Sequence, residues 1–370
     1  MHQSTVSIIW PTFAPMSDTI SSLLGRSTLS NSILDDVAST SAEVDGDAIH
    51  DSRVAVRRLA SEGLLDLGLP GSAGSYTDQI HVLSDLASAC MTTAFTAWSH
   101  RMTVEYLVVH GADDERTDLV RRAVRVGSTA LAGTFRAAAG VSEIPVTSSP
   151  SATGHRANGF LSWASNLHPD TIVVTGVQEQ GSGRRHLVSF ELSREGVEVL
   201  PISGLLALDG SKSGAIRLSD VDLHDHDELT SSFDDFIADV RPKFLAFQSA
   251  FVLGLAAASL RQIDDLRGPA VALRSEVDST NRELSRLSAD LRSAGDRLDR
   301  GERPDLRDSL RLRLDASHLA TRATQLELAV RGGSAYLAGS ATARRVREAL
   351  FVPVQSPTEV QLRWELEATA

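Results

Sequence analysis

The pattern of apolar and polar positions divides the chain into three zones. From about residue 28 to 125, apolar residues recur at helical spacing. VAVRRLASEGLLDLGLP (residues 54–70) carries such a stripe and ends in a Leu-Gly-Leu-Pro stop. Residues 75–111 predict one long buried helix or two, and residues 114–127 a short amphipathic one. From about 128 to 226, Gly, Ser, Thr and Val become dense and strand-like runs recur: STALAGTF, TIVVTGV, RHLVSFEL, VEVLPI and GAIRLSDVDL. These predict a small antiparallel β unit, sandwich or barrel. From about 230 the helical spacing returns. FLAFQSAFVLGLAAASLRQIDDLR (244–267) is apolar nearly all round at its start, as at the centre of a bundle. Leu284, Leu287, Leu291 and Leu298 continue a stripe, and residues 303–330 and 332–351 supply the remaining helices of a four-helix bundle. The reading is an α+β chain: a loose extension over 1–27, a helical domain over 28–127, a β domain over 128–229 and a helical bundle over 230–370.

Within the β zone, FLSWASN (160–166) stands between the turn signals of GHRANG (154–159) and the β-branched run TIVVTGV (171–177). A strand, a polar interruption and a second strand are predicted. Trp163 is then either a packed core residue of a β-meander or the flat wall of a ligand site.

Composition narrows the partners. The chain of 370 residues has a net charge of −12 and a pI near 5.4, which argues against nucleic acid. With one cysteine, Cys90, it forms no intramolecular disulfide and no Cys-based metal cluster. A core thiol and a reducing, cytoplasmic location are expected. No run reaches the ~20 apolar residues of a membrane span, and the amino terminus lacks the basic and apolar regions of a signal peptide. There is no GxGxxG after a strand, no P-loop, no GxSxG and no HExxH. GSKSG (210–214) reads as a hairpin opening. The consecutive side chains of DLHDHDE (222–228) cannot converge on one ion, so an acidic solvated connector is expected. His168 precedes a proline in a loop and reads as exposed.

The order helical domain, β domain, four-helix bundle resembles the acyl-CoA dehydrogenase fold. The motifs fall in matching order from about residue 45 to 365. SEGLLDLGLPGSAGSY (61–76) resembles the family's first-domain signature. LAGTF (131–135) stands where the family has a strand ending in Thr-Glu. WASN (163–166) resembles its Trp-Ile-Thr-Asn motif, and SGAIRLSDVDL (213–223) its Phe-x-Asp-Val-x-Val strand. Residues 344–366 resemble the last helix. The resemblance implies a flavin with Trp163 beside the isoalloxazine ring, Ser165 near N5 and Thr134 on the pyrimidine edge. Gly332 and Gly333 would approach a phosphate, and Thr358 would lie near the cofactor. Relatives complete the flavin site across a bundle interface, so a homotetramer or homodimer is implied.

Two departures matter. The family abstracts a proton with a glutamate near the carboxyl end, or with one on the first bundle helix. Those positions fall here on Ser356 and near Phe244, leaving Glu359 as a base only out of register. The Arg-x-x-Phe-Gly and Gln-x-x-Gly-Gly elements that grip FAD are also incomplete. Both departures resemble the two-component flavin monooxygenases, similar to dibenzothiophene monooxygenase and the hydroxyphenylacetate hydroxylase oxygenases. These take reduced FMN or FAD from a separate reductase and transfer one oxygen atom from O2. The implied function is hydroxylation or N-oxygenation of a small organic substrate, with a place in specialised metabolism expected. The alternatives are an acyl-thioester dehydrogenase or oxidase, or a non-catalytic homologue. His100 is then the candidate for proton handling, since imidazole titrates near neutrality. Trp98, Arg101, Phe244 and Ser356 are candidates for the substrate pocket.

Overall fold

The computed structural model describes residues 28–46, 50–111, 115–152, 154–263 and 265–368. The extension expected over 1–27 lies outside the described residues. Five helices come first: α1 (Asn31–Gly46), α2 (Arg53–Ser61), α3 (Tyr76–Ala89), α4 (Met91–His110) and α5 (Glu115–Arg121). Ser75 and Asp78 close a capping box at the start of α3, pairing two backbone N–H groups that the first turn leaves open. The apolar run over 75–111 is two helices, because Cys90 takes an extended conformation between them. The thiol is fully buried, as expected of a core cysteine.

The strands are β1 (Gly127–Thr129), β2 (Val146–Ser151), β3 (Gly154–Ala164), β4 (Ile172–Glu179), β5 (Arg185–Glu191), β6 (Val197–Pro201), β7 (Gly214–Leu223) and β8 (Glu228–Thr230). A short helix, α6 (Ala132–Ala138), follows β1. They form one eight-stranded sheet in the order β6-β7-β3-β2-β4-β5-β8, with β1 on β4. The sheet is mostly antiparallel, but β1 and β2 each run parallel to β4.

Three local expectations are corrected here. LAGTF lies at and within α6 rather than in a strand. GHRANG is the first half of β3, paired with β2 along its length, not a turn. DLHDHDE is only in part a solvated connector: Asp225 and His226 are exposed, but Asp227 is not. Asp227 is fully buried and accepts 3.0 Å hydrogen bonds from both Arg116 and Arg194. Burial pushes its carboxyl up, and the two guanidiniums with the His224 N–H outweigh this and hold it low.

The last zone holds α7 (Phe233–Arg261), α8 (Arg274–Asp299), α9 (Leu306–Arg331), α10 (Ala341–Phe351) and α11 (Glu359–Ala368). By length and composition α7 could cross a membrane, but its apolar window is wholly buried inside the protein. It packs on α3, α4, α8, α9 and α10. Gly254 lets α7 approach α3 closely, since a Cβ there would stand 2.1 Å from the Ser84 carbonyl oxygen. On α8 only one stripe is buried, including Val277, Leu284, Leu287, Leu291 and Leu298. α4, α6, α7 and the α10–α11 loop meet at one seam, where several of the candidate site residues lie.

Candidate active site

Strict alternation along β3 would put Trp163 on the buried face with Leu161. A bulge prevents this. Leu161 pairs with Ile216 and Ala164 with Gly214, so β3 carries one extra residue there. The extra residue turns Trp163 outward, 56% exposed, while Ala164 takes the buried position. Trp163 is therefore not the packed core residue of a meander. Beyond it, Ser165 is buried, and its Oγ lies 2.9 Å from Ser213 Oγ, which lies 2.7 Å from Ser211 Oγ. Asn166 ends the motif in the left-handed region (φ 60°). Its Nδ2 donates to the carbonyls of Thr96 on α4 and Gly127 on β1, each at 3.0 Å. That amide docks the motif two residues from Trp98.

Trp98, Phe244 and Ser356, far apart in sequence, are brought to one seam. The Trp98 ring meets Phe244 at 4.8 Å and Phe251 at 5.8 Å, edge to face. Phe95 stacks on Trp98 and meets Phe351 at 5.1 Å. Phe135 on α6 meets Phe244 at 4.8 Å. Phe244, Gln248 and Phe251 share one face of α7, and Gln248 Nε2 donates to the Ser356 carbonyl at 2.9 Å. The hydroxyl of Ser356 is buried without a partner, as are Trp98 Nε1 and Gln355 Nε2.

The remaining candidates fall elsewhere. His100 is fully buried, and its Nδ1 accepts the Gly127 N–H at 3.0 Å. Burial, and then the Arg101 charge, push the imidazole down to about 3. It is neutral at physiological pH, with its proton on a partnerless Nε2. This corrects the proton-handling expectation, because the lone pair that would take a proton is already used. Arg101 faces away from the seam. It donates to Gln79, Leu67 O and Glu105 at 2.8–3.0 Å. Glu105 also accepts from Tyr76 Oη and Lys243 Nζ, and Lys243 donates to Asp239. This buried network locks α3, α4 and α7 together. Thr134 is fully buried, and its Oγ1 accepts the Gly176 N–H at 3.0 Å, fastening α6 to β4. Thr358 Oγ1 accepts the Gln361 N–H in the first turn of α11. Glu359 bonds His318 and Arg363, and those bonds hold its carboxyl below the usual range, unsuited to proton abstraction. His168, expected to be exposed, is buried. Gly332 and Gly333 lie apart at the end of α9, with open space where a Cβ would stand.

The sequence reading missed Arg313. It lies on the buried stripe of α9 with Leu310, Ser317 and Ala320, at a spacing where a charged residue is itself a signal. Its guanidinium is fully buried and donates to Gln248 Oε1, Val352 O and Gln355 Oε1 at 3.1–3.2 Å, and to Ser317 Oγ. All of these acceptors are neutral. Burial pushes Arg313 down to about 9, so it remains a cation at neutral pH. The reading also missed Glu348 on α10. It is fully buried, with Oε1 accepting from Arg344 at 2.8 Å and Oε2 partnerless. Burial, with Asp45 nearby, pushes its carboxyl up against the pull of Arg344.

No family model and no curated protein matches this chain. Solved structures do. Butyryl-CoA dehydrogenase from Megasphaera elsdenii is similar with a TM-score of 0.79 and 15% identity, over 92% of this chain and 98% of that one. PigA, solved with FAD and proline, gives 0.77 and 16% over 92% and 98%. KijD3, solved with dTDP, gives 0.73 and 21% over 91% and 94%. The fold is acyl-CoA dehydrogenase-like, a mixed α+β architecture.

Proposed function

We propose that this protein is a flavin-dependent monooxygenase. It takes reduced FMN or FAD from a separate reductase and uses O2 to hydroxylate or N-oxygenate a small organic substrate. One observation carries the choice of oxygenation over proton abstraction. The position that needs a carboxylate base is Ser356, whose carbonyl accepts from the Gln248 amide that Arg313 holds from behind, and the other base position falls near Phe244, where there is no carboxylate. The flavin reading is supported by the fold and by Trp163, whose exposed indole offers a flat apolar wall beside the serine relay at Ser165. Bound reduced flavin supplies two electrons, so that one oxygen atom enters the substrate and the other leaves as water. The chain's own contribution is to bind and to exclude water. The aromatic rings of α4, α6 and α7 keep the seam dry. His100, with Nδ1 occupied by the Gly127 N–H and its ring fully buried, takes no proton near neutrality.

A second copy of the chain belongs to this reading. Leu350, Val354, Val360 and Trp364 are exposed on and between α10 and α11, as an apolar face awaiting a homodimer or homotetramer partner would be.

The test is to mix the protein with anaerobically reduced FMN or FAD and then with oxygenated buffer. Reduced flavin should bind, and the bound flavin should reoxidise more slowly than free flavin. Reoxidation at the free rate would refute the oxygenase reading. A thioester dehydrogenase or oxidase is the second reading, favoured by Glu348, a buried carboxyl with a free oxygen one turn from Phe351. Anaerobic bleaching of the oxidised flavin by an acyl thioester, lost in Glu348→Gln, would establish it instead.

A further inference from the structure

The turn that feeds the serine relay is strained. Leu208 (φ 66°, ψ 28°) and Lys212 (φ 48°, ψ 48°) both take the left-handed conformation, one on each side of the 3-10 turn Asp209–Ser211. Residues other than glycine adopt that conformation at a cost, and keep it only where their surroundings hold them. The surroundings here come from separate segments. Asp209 accepts the Gly204 and Leu205 N–H groups at 3.2 and 2.8 Å. Gly210 abuts the end of α1, where a Cβ would stand 2.3 Å from the Val44 carbonyl oxygen. Asp45 of α1 is buried, and its carboxylate is shared. Oδ1 accepts the Leu208 N–H at 3.0 Å, and Oδ2 accepts Arg347 Nη2 of α10 at 2.7 Å. The turn then holds the motif beyond Trp163. Asn166 and Leu167 donate their N–H groups to Ser211 O at 2.9 Å and Lys212 O at 3.0 Å, and Ser211 Oγ reaches Ser165 through Ser213.

We infer that Asp45 is a positioning residue for the flavin motif. A charge-assisted hydrogen bond is the strong kind, and this one clamps the N–H of the residue that enters the turn left-handed. Without the carboxylate, Leu208 is free to return to negative φ. That rotation carries Ser211 O and Lys212 O off the Asn166 and Leu167 N–H groups and unseats Ser165. Arg347 balances the Asp45 charge, so α10 is coupled to the motif through one carboxylate. The inference rests on the proposed flavin site and names what holds that site in shape.

The test is amide hydrogen exchange, read by mass spectrometry on the full chain without flavin. In Asp45→Ala, peptides covering 160–168 and 204–214 should exchange about tenfold faster than in the parent, as loss of a charge-assisted hydrogen bond provides. Exchange within α9 should not change. Arg347→Met should speed the same peptides less, and should add nothing in the Asp45→Ala background. Lys212→Gly removes the left-handed cost at the far end of the turn. Added to Asp45→Ala, it should bring exchange back to within about threefold of the parent. Unchanged exchange, equal acceleration in α9, full additivity of Arg347→Met, or no return with Lys212→Gly would overturn the inference. Reduced-flavin affinity, read separately by fluorescence, should fall severalfold in Asp45→Ala and recover with Lys212→Gly. Undiminished affinity would also overturn it. A parent that shows the exchange pattern but binds no reduced flavin refutes the flavin reading and supports the hold of Asp45 on the turn.

Discussion

Replacing Trp163 with alanine isolates the proposed flavin wall from the fold. The indole is 56% exposed, so over half of its surface has no protein neighbour to lose. A covered Trp buries up to about 250 Å². A ring lying on Trp163 would then remove roughly 140 Å² from water, worth up to about 3.5 kcal/mol at ~25 cal/mol/Å². A planar ligand covers one face only, which brings the figure near 2 kcal/mol, or roughly thirtyfold in Kd. Trp163→Ala should lose that much affinity for reduced flavin, measured anaerobically by fluorescence, and Trp163→Phe should recover most of it. The fold should lose less than about 1 kcal/mol by urea unfolding, as expected for a mostly exposed side chain. Flavin affinity within about twofold of the parent, against the thirtyfold expected from the area, would refute the assignment of Trp163 as the wall.

Glu105→Gln should cost about 3–5 kcal/mol in urea unfolding, because the buried Arg101 and the largely buried Lys243 lose a shared carboxylate; a loss below about 1 kcal/mol would show that the network adds nothing beyond its neutral hydrogen bonds. Burial raises the Glu105 carboxyl, but the Arg101 and Lys243 charges outweigh this and depress it. Asp239 is likewise held down to about 2, where its hydrogen bonds to His110 and Lys243 and their charges outweigh its burial. A depressed carboxyl stabilises the fold fully above its unfolded pKa of about 4 and loses that contribution as pH falls through the folded value. Stability should therefore decline below about pH 4, less steeply in Glu105→Gln than in the parent, as seen by denaturation across that range. Gly254→Ala drives a methyl group into the Ser84 carbonyl of α3, so it should cost about 1–3 kcal/mol by overpacking; an unchanged Tm would mean that the α3–α7 contact yields.

The sequence by itself determined the order of elements and which residues are apolar enough to be buried. The all-round apolarity of residues 244–260 placed α7 at the centre, and the leucines of α8 marked one buried face, because helical periodicity is a local property. The resemblance could be read at WASN and the Ser356 loop for the same reason: each is a contiguous run. Tertiary structure decided everything that depends on pairing. Alternation alone would have buried Trp163, and the extra residue against β7 exposes it, since register is a relation between two strands. His100 titrates near neutrality as a free imidazole, but burial and the Gly127 N–H remove that capacity. Asp227 reads as one of a solvated acidic run, yet two arginines from different segments close on it. Arg313 and Glu348 carried only the faint signal of charged residues among apolar ones. Their importance lies in which partners they have and lack, and that is settled only when α7, α9 and α10 pack together.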